Sequence, residues 1–300
     1  MSSFLQAAIQ AAKAAGDLQR RSYGKPLHIE LKDGNTLNLV TQVDKLCEKT
    51  VFRILKKKFP SHGLWGEESG GAPKKKGYTW VVDPLDGTTN YTHRYPFFCC
   101  SVALLKDGRP VVGAVYEPLR RELFAAEKDG GATLNGKSIR VSSVPTLSHA
   151  LLCTGFAYQV HQTGYNLENF KRFILKSQGV RRDGSAALNL CYVACGRFEG
   201  FWERGIQAWD MAAGVLIAKE AGAVVTDLSG GPYDLLAQNV LASNALVHKV
   251  MQNILAESPD EKRYLGAKGA AVSEPATVAS TTDMELPLFN KKPTKKKGRG

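Results

Sequence analysis

The sequence predicts a layered protein of the α/β or α+β class, and three observations support this fold class. Strand-like and helix-like patterns occur in both halves of the chain, so sheets and helices can cover each other. Of the 300 residues, 43% are hydrophobic and 23% are charged, which is ordinary globular composition. A chain of this length buries about 75% of its unfolded surface, so its core needs no disulfides. We therefore expect one large domain or two lobes.

The first half of the chain predicts two helices and then four strands. Apolar residues recur with helical spacing over residues 4–20, and a second such stripe begins near Thr41 and ends before Pro60. Residues 63–77 are rich in Gly and Lys and predict a loop. Four apolar segments then predict strands, at residues 79–82, 97–105, 111–116 and 123–126.

The second half alternates between strands and helices. Strands are predicted near Leu151 and at residues 198–203, 223–226 and 240–243. Helices are predicted at residues 166–177, 185–195, 210–221 and 245–257. From residue 258 the chain is rich in Ala, Ser, Thr, Pro, Gly and Lys, which predicts a disordered tail over residues 258–300 with a basic tip.

Charge and cysteine content restrict the location and the partners. No segment approaches the ~20 apolar residues of a membrane span, and the N-terminus lacks the pattern of a signal peptide. The six cysteines are spread through apolar segments, as in reduced cytosolic proteins. We expect a cytoplasmic protein without membrane association. The net charge of +12 and the basic tail leave a nucleic-acid partner open as an alternative.

The segment at residues 80–91, WVVDPLDGTTNY, carries the clearest chemical pattern. Asp83 and Asp86 follow an apolar strand, and Pro84 between them fixes the backbone. The turn can therefore aim both carboxylates and the Leu85 carbonyl at one point. By itself, the pattern also fits a strand end followed by a helix cap.

Two more acidic segments favour the chemical interpretation. Glu67 lies in GEES, and Asp210 lies at a helix start in WDMAAG. If these segments meet the turn that contains Gly87 and Thr88, several carboxylates share one pocket and raise each other's pKa unless cations neutralise them. Oxygen ligands without His or Cys select Mg²⁺ or Mn²⁺, and two such ions ~4 Å apart suit phosphate-ester hydrolysis.

Residues 131–138, GATLNGKS, match a nucleotide-binding phosphate loop, but their surroundings do not. A phosphate loop needs a helix after its lysine. Here residues 139–141 alternate like a strand, and Asn135 with Gly136 forms a strong hairpin signal. We therefore predict a β-hairpin and no ATP binding.

Four segments taken in order, GEES, WVVDPLDGTTNY, RRDGSAALNLCYVACGRFEGFWE and WDMAAG, make the chain similar to the inositol monophosphatase family. This family comprises lithium-sensitive, magnesium-dependent sugar phosphatases. The resemblance covers residues 4–257 and implies a layered α-β-α-β-α sandwich of the sugar-phosphatase type, usually a homodimer. It implies a catalytic domain over residues 1–257, with two lobes at about residues 1–145 and 146–257.

The resemblance also implies a set of metal ligands. Glu67, Asp83 and the Leu85 carbonyl match ligands of a first ion. Asp83, Asp86 and Asp210 match ligands of a second ion, and Glu67 helps to hold a weaker third one through water. The expected cofactor is therefore two to three Mg²⁺ ions, with Mn²⁺ as an alternative.

The catalytic and substrate-binding residues follow from the same resemblance. Thr88 and Glu67 match residues that orient the attacking water, and Asp44 matches an outer carboxylate linked to Thr88. The amides of Gly87 and Thr88 match phosphate contacts. The remaining substrate-binding positions are Asp86, Gly184, Ser185, Ala186, Glu203 and Asp210.

The implied reaction is hydrolysis of myo-inositol monophosphate by direct attack of a metal-activated water. Related substrates stay open, namely histidinol phosphate, fructose-1,6-bisphosphate and 3′-phosphoadenosine 5′-phosphate, as does a regulatory, RNA-associated role. Thr89 and Asn90 after the DGT motif look more like the inositol group. The Glu203 carboxylate suits a polyol hydroxyl and would oppose a second phosphate.

Overall fold

The computed structural model describes residues 1–32 and 35–260. The elements up to the end of the first large sheet are α1 (Ser3–Ser22), β1 (Ile29–Leu31), β2 (Leu39–Thr41), α2 (Gln42–Lys58), β3 (Gly63–Gly66), β4 (Tyr78–Asp86), α3 (Thr88–Thr92), β5 (Cys99–Lys106), β6 (Arg109–Glu117), β7 (Glu122–Glu127), β8 (Ala132–Leu134) and β9 (Lys137–Ser138). Those that follow are β10 (Leu151–Thr154), α4 (Val160–Thr163), α5 (Leu167–Ile174), β11 (Gly179–Arg181), α6 (Ala186–Ala194), β12 (Gly200–Arg204), α7 (Ala208–Glu220), β13 (Val224–Thr226), β14 (Asn239–Ser243) and α8 (Ala245–Ala256).

The strands form two large sheets and a small hairpin. The first sheet has the order β3-β4-β5-β6-β7-β8-β9, and the second has the order β11-β10-β12-β14-β13. In the first sheet only β3 and β4 run parallel, and each later strand runs antiparallel to the one before it. In the second sheet β10 runs parallel to both β11 and β12. Strands β1 and β2 pair with each other.

Three hydrophobic clusters hold the layers together and confirm the predicted α-β-α-β-α sandwich. The helices α1 and α2 pack on one face of the first sheet around Trp80. The helices α6 and α7 lie between the two sheets, in a cluster that includes Phe201 and Met211. The helices α5 and α8 cover the outer face of the second sheet around Trp202.

Several local predictions need correction. Gly63–Gly66 is a strand, not the start of a loop, and its two glycines hide the alternation that would have revealed it. Strand β4 continues past residue 82 to Asp86. Pro84 is tolerated there because it lies in a bulge, where no backbone N–H is needed to pair with β5. The hairpin of β1 and β2 was not predicted. The hairpin of β8 and β9 is confirmed, with Asn135 and Gly136 both at positive φ.

The predicted tail begins too early. Ser258 and Asp260 are buried, so residues 258–260 belong to the folded body. Residues 261–300, including the basic tip and its alternative nucleic-acid role, lie outside the described residues. The six cysteines form no disulfide, as expected. Among the described helices, none is both long and apolar enough to cross a membrane.

Candidate active site

Four carboxylates from three separate segments line one pocket. Asp83 and Asp86 flank the bulge at the end of β4, and Asp210 lies in the first turn of α7. Glu67 follows β3, and its N–H donates to the Val82 carbonyl (3.1 Å), which brings it beside the end of β4. All four side chains contribute to the same pocket, and we call them the floor.

The floor concentrates negatively charged groups, which repel each other. Burial and the charges of Glu67, Asp86 and Asp210 raise the pKa of Asp83 well above its ordinary value. The pKa of Asp210 is raised well above its ordinary value by burial and by Asp86 and Glu67. Burial also raises the pKa of Asp86 to about 6, although its hydrogen bonds oppose the shift. The floor therefore favours either bound protons or bound cations.

The start of α6 fixes Asp86. The Asp86 Oδ2 atom accepts hydrogen bonds from the Ser185 hydroxyl and from the Ala187 N–H, both at 2.7 Å. Ser185 also caps α6, and Gly184 before it has a φ of +86°. The predicted substrate positions at residues 184–186 are thus tied directly to the carboxylate turn.

Thr88 joins the pocket to a carboxylate behind it. The Thr88 hydroxyl lies 2.7 Å from Asp44 Oδ1 and 3.0 Å from the Leu85 carbonyl. Asp44 is fully buried, in the first turn of α2, and does not itself line the pocket. Burial raises its pKa to about 6, against the hydrogen bonds from Thr41 and Thr88.

Gly87 makes a close turn between β4 and α3. Its φ is +103°, and a Cβ atom there would lie 3.0 Å from the Phe97 carbonyl oxygen. Because both the conformation and the space favour glycine, this position lets the backbone N–H groups reach the pocket.

The floor offers the oxygen donors that a hard divalent cation prefers, although its side chains are not arranged around one ion. The residues that line the pocket offer oxygen donors and include no His or Cys. Within residues 1–32 and 35–260, no three acidic, His or Cys side chains are gathered as ligands of one ion. Lys32 Nζ pairs with Glu67 and Glu68 at 2.7 Å, so an ion that uses Glu67 competes with this ammonium group.

A further acidic residue, Glu203, also lines the pocket. Glu203 on β12 is 7% exposed, and its carboxylate has no hydrogen-bond partner among the described residues. Burial raises its pKa to about 8, while nearby Arg182 lowers it and Asp86 raises it. We call Glu203, Arg182 and residues 155–158 the wall.

The structure gathers most of the residues singled out by sequence around this pocket. Asp44 is the exception, because it lies behind Thr88. The members that line the pocket are Glu67, Asp83, Leu85, Asp86, Gly87, Thr88, Gly184, Ser185, Ala186, Glu203 and Asp210.

Sequence reasoning missed residues 155–158 and Arg182 of the wall. The useful signal was their position after β10 and β11, since ligands bind beyond the carboxyl ends of parallel strands.

Comparison with known proteins agrees with this geometry. The profile of the inositol monophosphatase family matches residues 1–263. The chain is 43% identical to an inositol-1-monophosphatase of Synechocystis sp., covering 91% of this chain and 96% of the relative. It is 40% identical to the Nus factor SuhB of Escherichia coli, covering 87% of this chain and 97% of the relative.

Solved structures share the fold. An inositol monophosphatase from Anabaena (Nostoc) sp. superimposes with a TM-score of 0.78 at 41% identity, covering 87% of this chain and 98% of that one. An inositol monophosphatase described as bound to inositol monophosphate has a TM-score of 0.74 at 26% identity, covering 89% of this chain and 98% of that one. Since the family profile spans all of the described residues, this chain belongs to the inositol monophosphatase family of phosphatases.

Proposed function

We propose that this protein hydrolyses myo-inositol monophosphate to inositol and phosphate in a reaction that depends on Mg²⁺. The observation that carries the proposal is the meeting of the four floor carboxylates in one pocket that Glu203 also lines. The family acts on phosphorylated small molecules and depends on metal ions. The names of the Synechocystis relative and of the inositol monophosphate complex support this substrate.

The floor would hold two to three Mg²⁺ ions, or Mn²⁺ in their place. Glu67, Asp83 and the Leu85 carbonyl would hold one, and Asp83, Asp86 and Asp210 would hold another. Bound there, such ions neutralise the charge that develops on the phosphoryl oxygens and lower the pKa of water. The raised pKa values of Asp83 and Asp210 support this assignment, since a cation would relieve the repulsion behind them.

Thr88 and Asp44 would accept the proton that the attacking water loses. Glu67 would orient that water molecule. With its own proton directed to Asp44 Oδ1, the Thr88 oxygen can accept a proton from the pocket side. As Thr88 Oγ1 takes that proton, its original proton passes to Asp44. A pKa of about 6 suits Asp44 to accept a proton near neutral pH. The attack is direct, without a covalent enzyme intermediate.

The wall would bind the polyol ring, while the amides of Gly87 and Thr88 would contact the phosphate. A buried carboxylate that has no donor from its own chain gains most from a hydroxyl donor on a ligand. Glu203 is such a group. Residues 184–186 would complete the contacts to the substrate.

Arg182 favours a second candidate substrate, fructose-1,6-bisphosphate. Its exposed side chain lines the pocket, and within the described part of the chain it makes no close ion pair, although its charge lowers the pKa of Glu203. A second phosphate could therefore be neutralised by Arg182, which offsets the repulsion expected from Glu203.

A phosphate-release panel tests the proposal. It compares inositol 1-phosphate, histidinol phosphate, fructose-1,6-bisphosphate and 3′-phosphoadenosine 5′-phosphate, with Mg²⁺ and with a chelator, using wild type and Arg182→Ala. We expect chelator-sensitive release that is fastest from inositol 1-phosphate in both proteins. Preference for the bisphosphate, lost in the variant, would favour the second candidate. No release with Mg²⁺ would refute both.

The homodimer, the two lobes, the cytoplasmic location and the lithium sensitivity stay predictions that rest on the resemblance and on the reduced cysteines.

A further inference from the structure

Helix α5 begins at a residue that does not cap it. Asn166 precedes the helix with a φ of 73°, and its side chain makes no cap hydrogen bond. Its Oδ1 atom instead accepts from the Trp202 indole N–H (2.7 Å). Its amide nitrogen donates to the Gly155 carbonyl (2.7 Å) and to the Thr154 hydroxyl (2.9 Å). The Asn166 side chain therefore binds β12 and the end of β10 next to the pocket wall instead of capping α5.

Asp260 supplies the missing cap from a distant part of the chain. Its Oδ2 atom accepts from the N–H groups of Glu168 (3.0 Å) and Asn169 (3.2 Å), the second and third residues of α5. These are the amides that a capping side chain normally satisfies, and a carboxylate there also complements the helix dipole. Asp260 is 3% exposed, and its own N–H donates to the Ser258 hydroxyl.

The residues that Asn166 holds adjoin the Glu203 carboxylate. Trp202 and Glu203 are neighbours on β12 and point to opposite faces of the sheet. Trp202 packs against Phe173 of α5, with ring centroids 4.2 Å apart. On the other face, a Cβ atom on Gly155 would lie 2.1 Å from both Glu203 carboxylate oxygens. A small movement of Gly155 therefore changes the space around Glu203.

We propose that Asp260 is a positioning residue for the substrate pocket, acting on Glu203 through α5, Asn166 and Gly155. Because Asp260 caps α5, the Asn166 side chain is available to bind Gly155 and Trp202. Loss of the cap loosens the start of α5 and with it the wall, while the floor, built from β4, α7 and the end of β3, keeps its contacts. The inference rests on the proposed function, because Glu203 is taken to bind the polyol.

The test compares Asp260→Ala with Asp260→Asn in the full-length protein with Mg²⁺. We expect the alanine variant to raise KM for inositol 1-phosphate by up to about fivefold, the rise expected if the whole free energy of one helix cap acts on binding, with little change in kcat. The asparagine variant keeps an acceptor oxygen and should restore KM. A phosphate monoester without a polyol, 4-nitrophenyl phosphate, should show no change in KM with either variant.

The matched control is Asp227→Ala. Asp227 Oδ1 also accepts from two backbone amides, those of Ser229 (2.9 Å) and Gly231 (2.7 Å), but it does not line the pocket. This variant should leave KM unchanged. In a Glu203→Gln background, Asp260→Ala should add nothing further to KM, because its effect passes through Glu203.

Hydrogen exchange separates this inference from the proposed function. Asp260→Ala should speed amide exchange in residues 155–169 and not in residues 78–86. If the wild-type protein releases no phosphate from any substrate, the proposed function is wrong. Hydrogen exchange then tests the link from Asp260 to the wall without any need for activity. An unchanged KM in an active Asp260→Ala variant, an equal change with 4-nitrophenyl phosphate, or unchanged exchange in residues 155–169 would overturn the inference.

Discussion

The floor and the wall of the pocket both present buried carboxylates, but they differ in what those carboxylates lack. On the floor, Asp83, Asp86 and Asp210 each accept hydrogen bonds from their own chain, and what remains is mutual repulsion. On the wall, Glu203 lacks a hydrogen-bond donor among the described residues. The floor therefore requires positive charge, whereas the wall requires a hydrogen-bond donor. One pocket can thus bind a metal-held phosphate and a hydroxylated ring.

The largest effect is expected from a change in the floor. Asp83→Asn removes a charged oxygen donor and should lower Mg²⁺-dependent kcat at least about 100-fold. The metal-free variant should melt no lower than wild type, because a buried repelling charge is gone. Steady-state kinetics and thermal melting with a chelator measure both effects. Activity near that of wild type would remove the floor from the mechanism.

A change in the wall should act on binding rather than on turnover. Glu203→Gln exchanges the carboxyl group for an amide of nearly the same shape that cannot become a carboxylate. We expect KM for inositol 1-phosphate to rise about 10-fold, while kcat changes less. The Ser185→Ala variant offers a contrast, since it loosens Asp86 on the floor and should lower kcat. A fall in kcat alone in the Glu203 variant would contradict the division between floor and wall.

A smaller effect should appear in the pH dependence of stability. Burial raises the pKa of Glu203 from 4.5 to about 8, so the folded state holds this proton more tightly than the unfolded state. Its contribution to stability is full below pH 4.5 and is lost as the pH rises to about 8.

Glu203→Gln should remove this loss. Between those pH values the metal-free wild type should lose up to ~1.4 kcal/mol per pH unit relative to the variant. Denaturant unfolding at several pH values measures the difference. Asp44 titrates in the same range in both proteins and cancels. Parallel curves for the two proteins would show that Glu203 is not held protonated.

The floor could be predicted from sequence, and most of the wall could not. Asp83 and Asp86 lie in one continuous motif after an apolar strand, so the local sequence is enough to predict them as site residues. Residues 155–158 carry no pattern of their own and gain meaning only because β10 ends beside β12. Asp260 was hidden by the change in composition at residue 258, which predicted a tail where a helix cap lies.

The most direct test of the account is anomalous diffraction from crystals grown with Mn²⁺ in place of Mg²⁺. The account predicts Mn²⁺ peaks in contact with the carboxylates of Asp83, Asp86 and Asp210, with Glu67 turned from Lys32 towards the metal. An active Mn²⁺ enzyme whose crystals show no metal at these residues would contradict the central claim that the floor is a divalent-cation site.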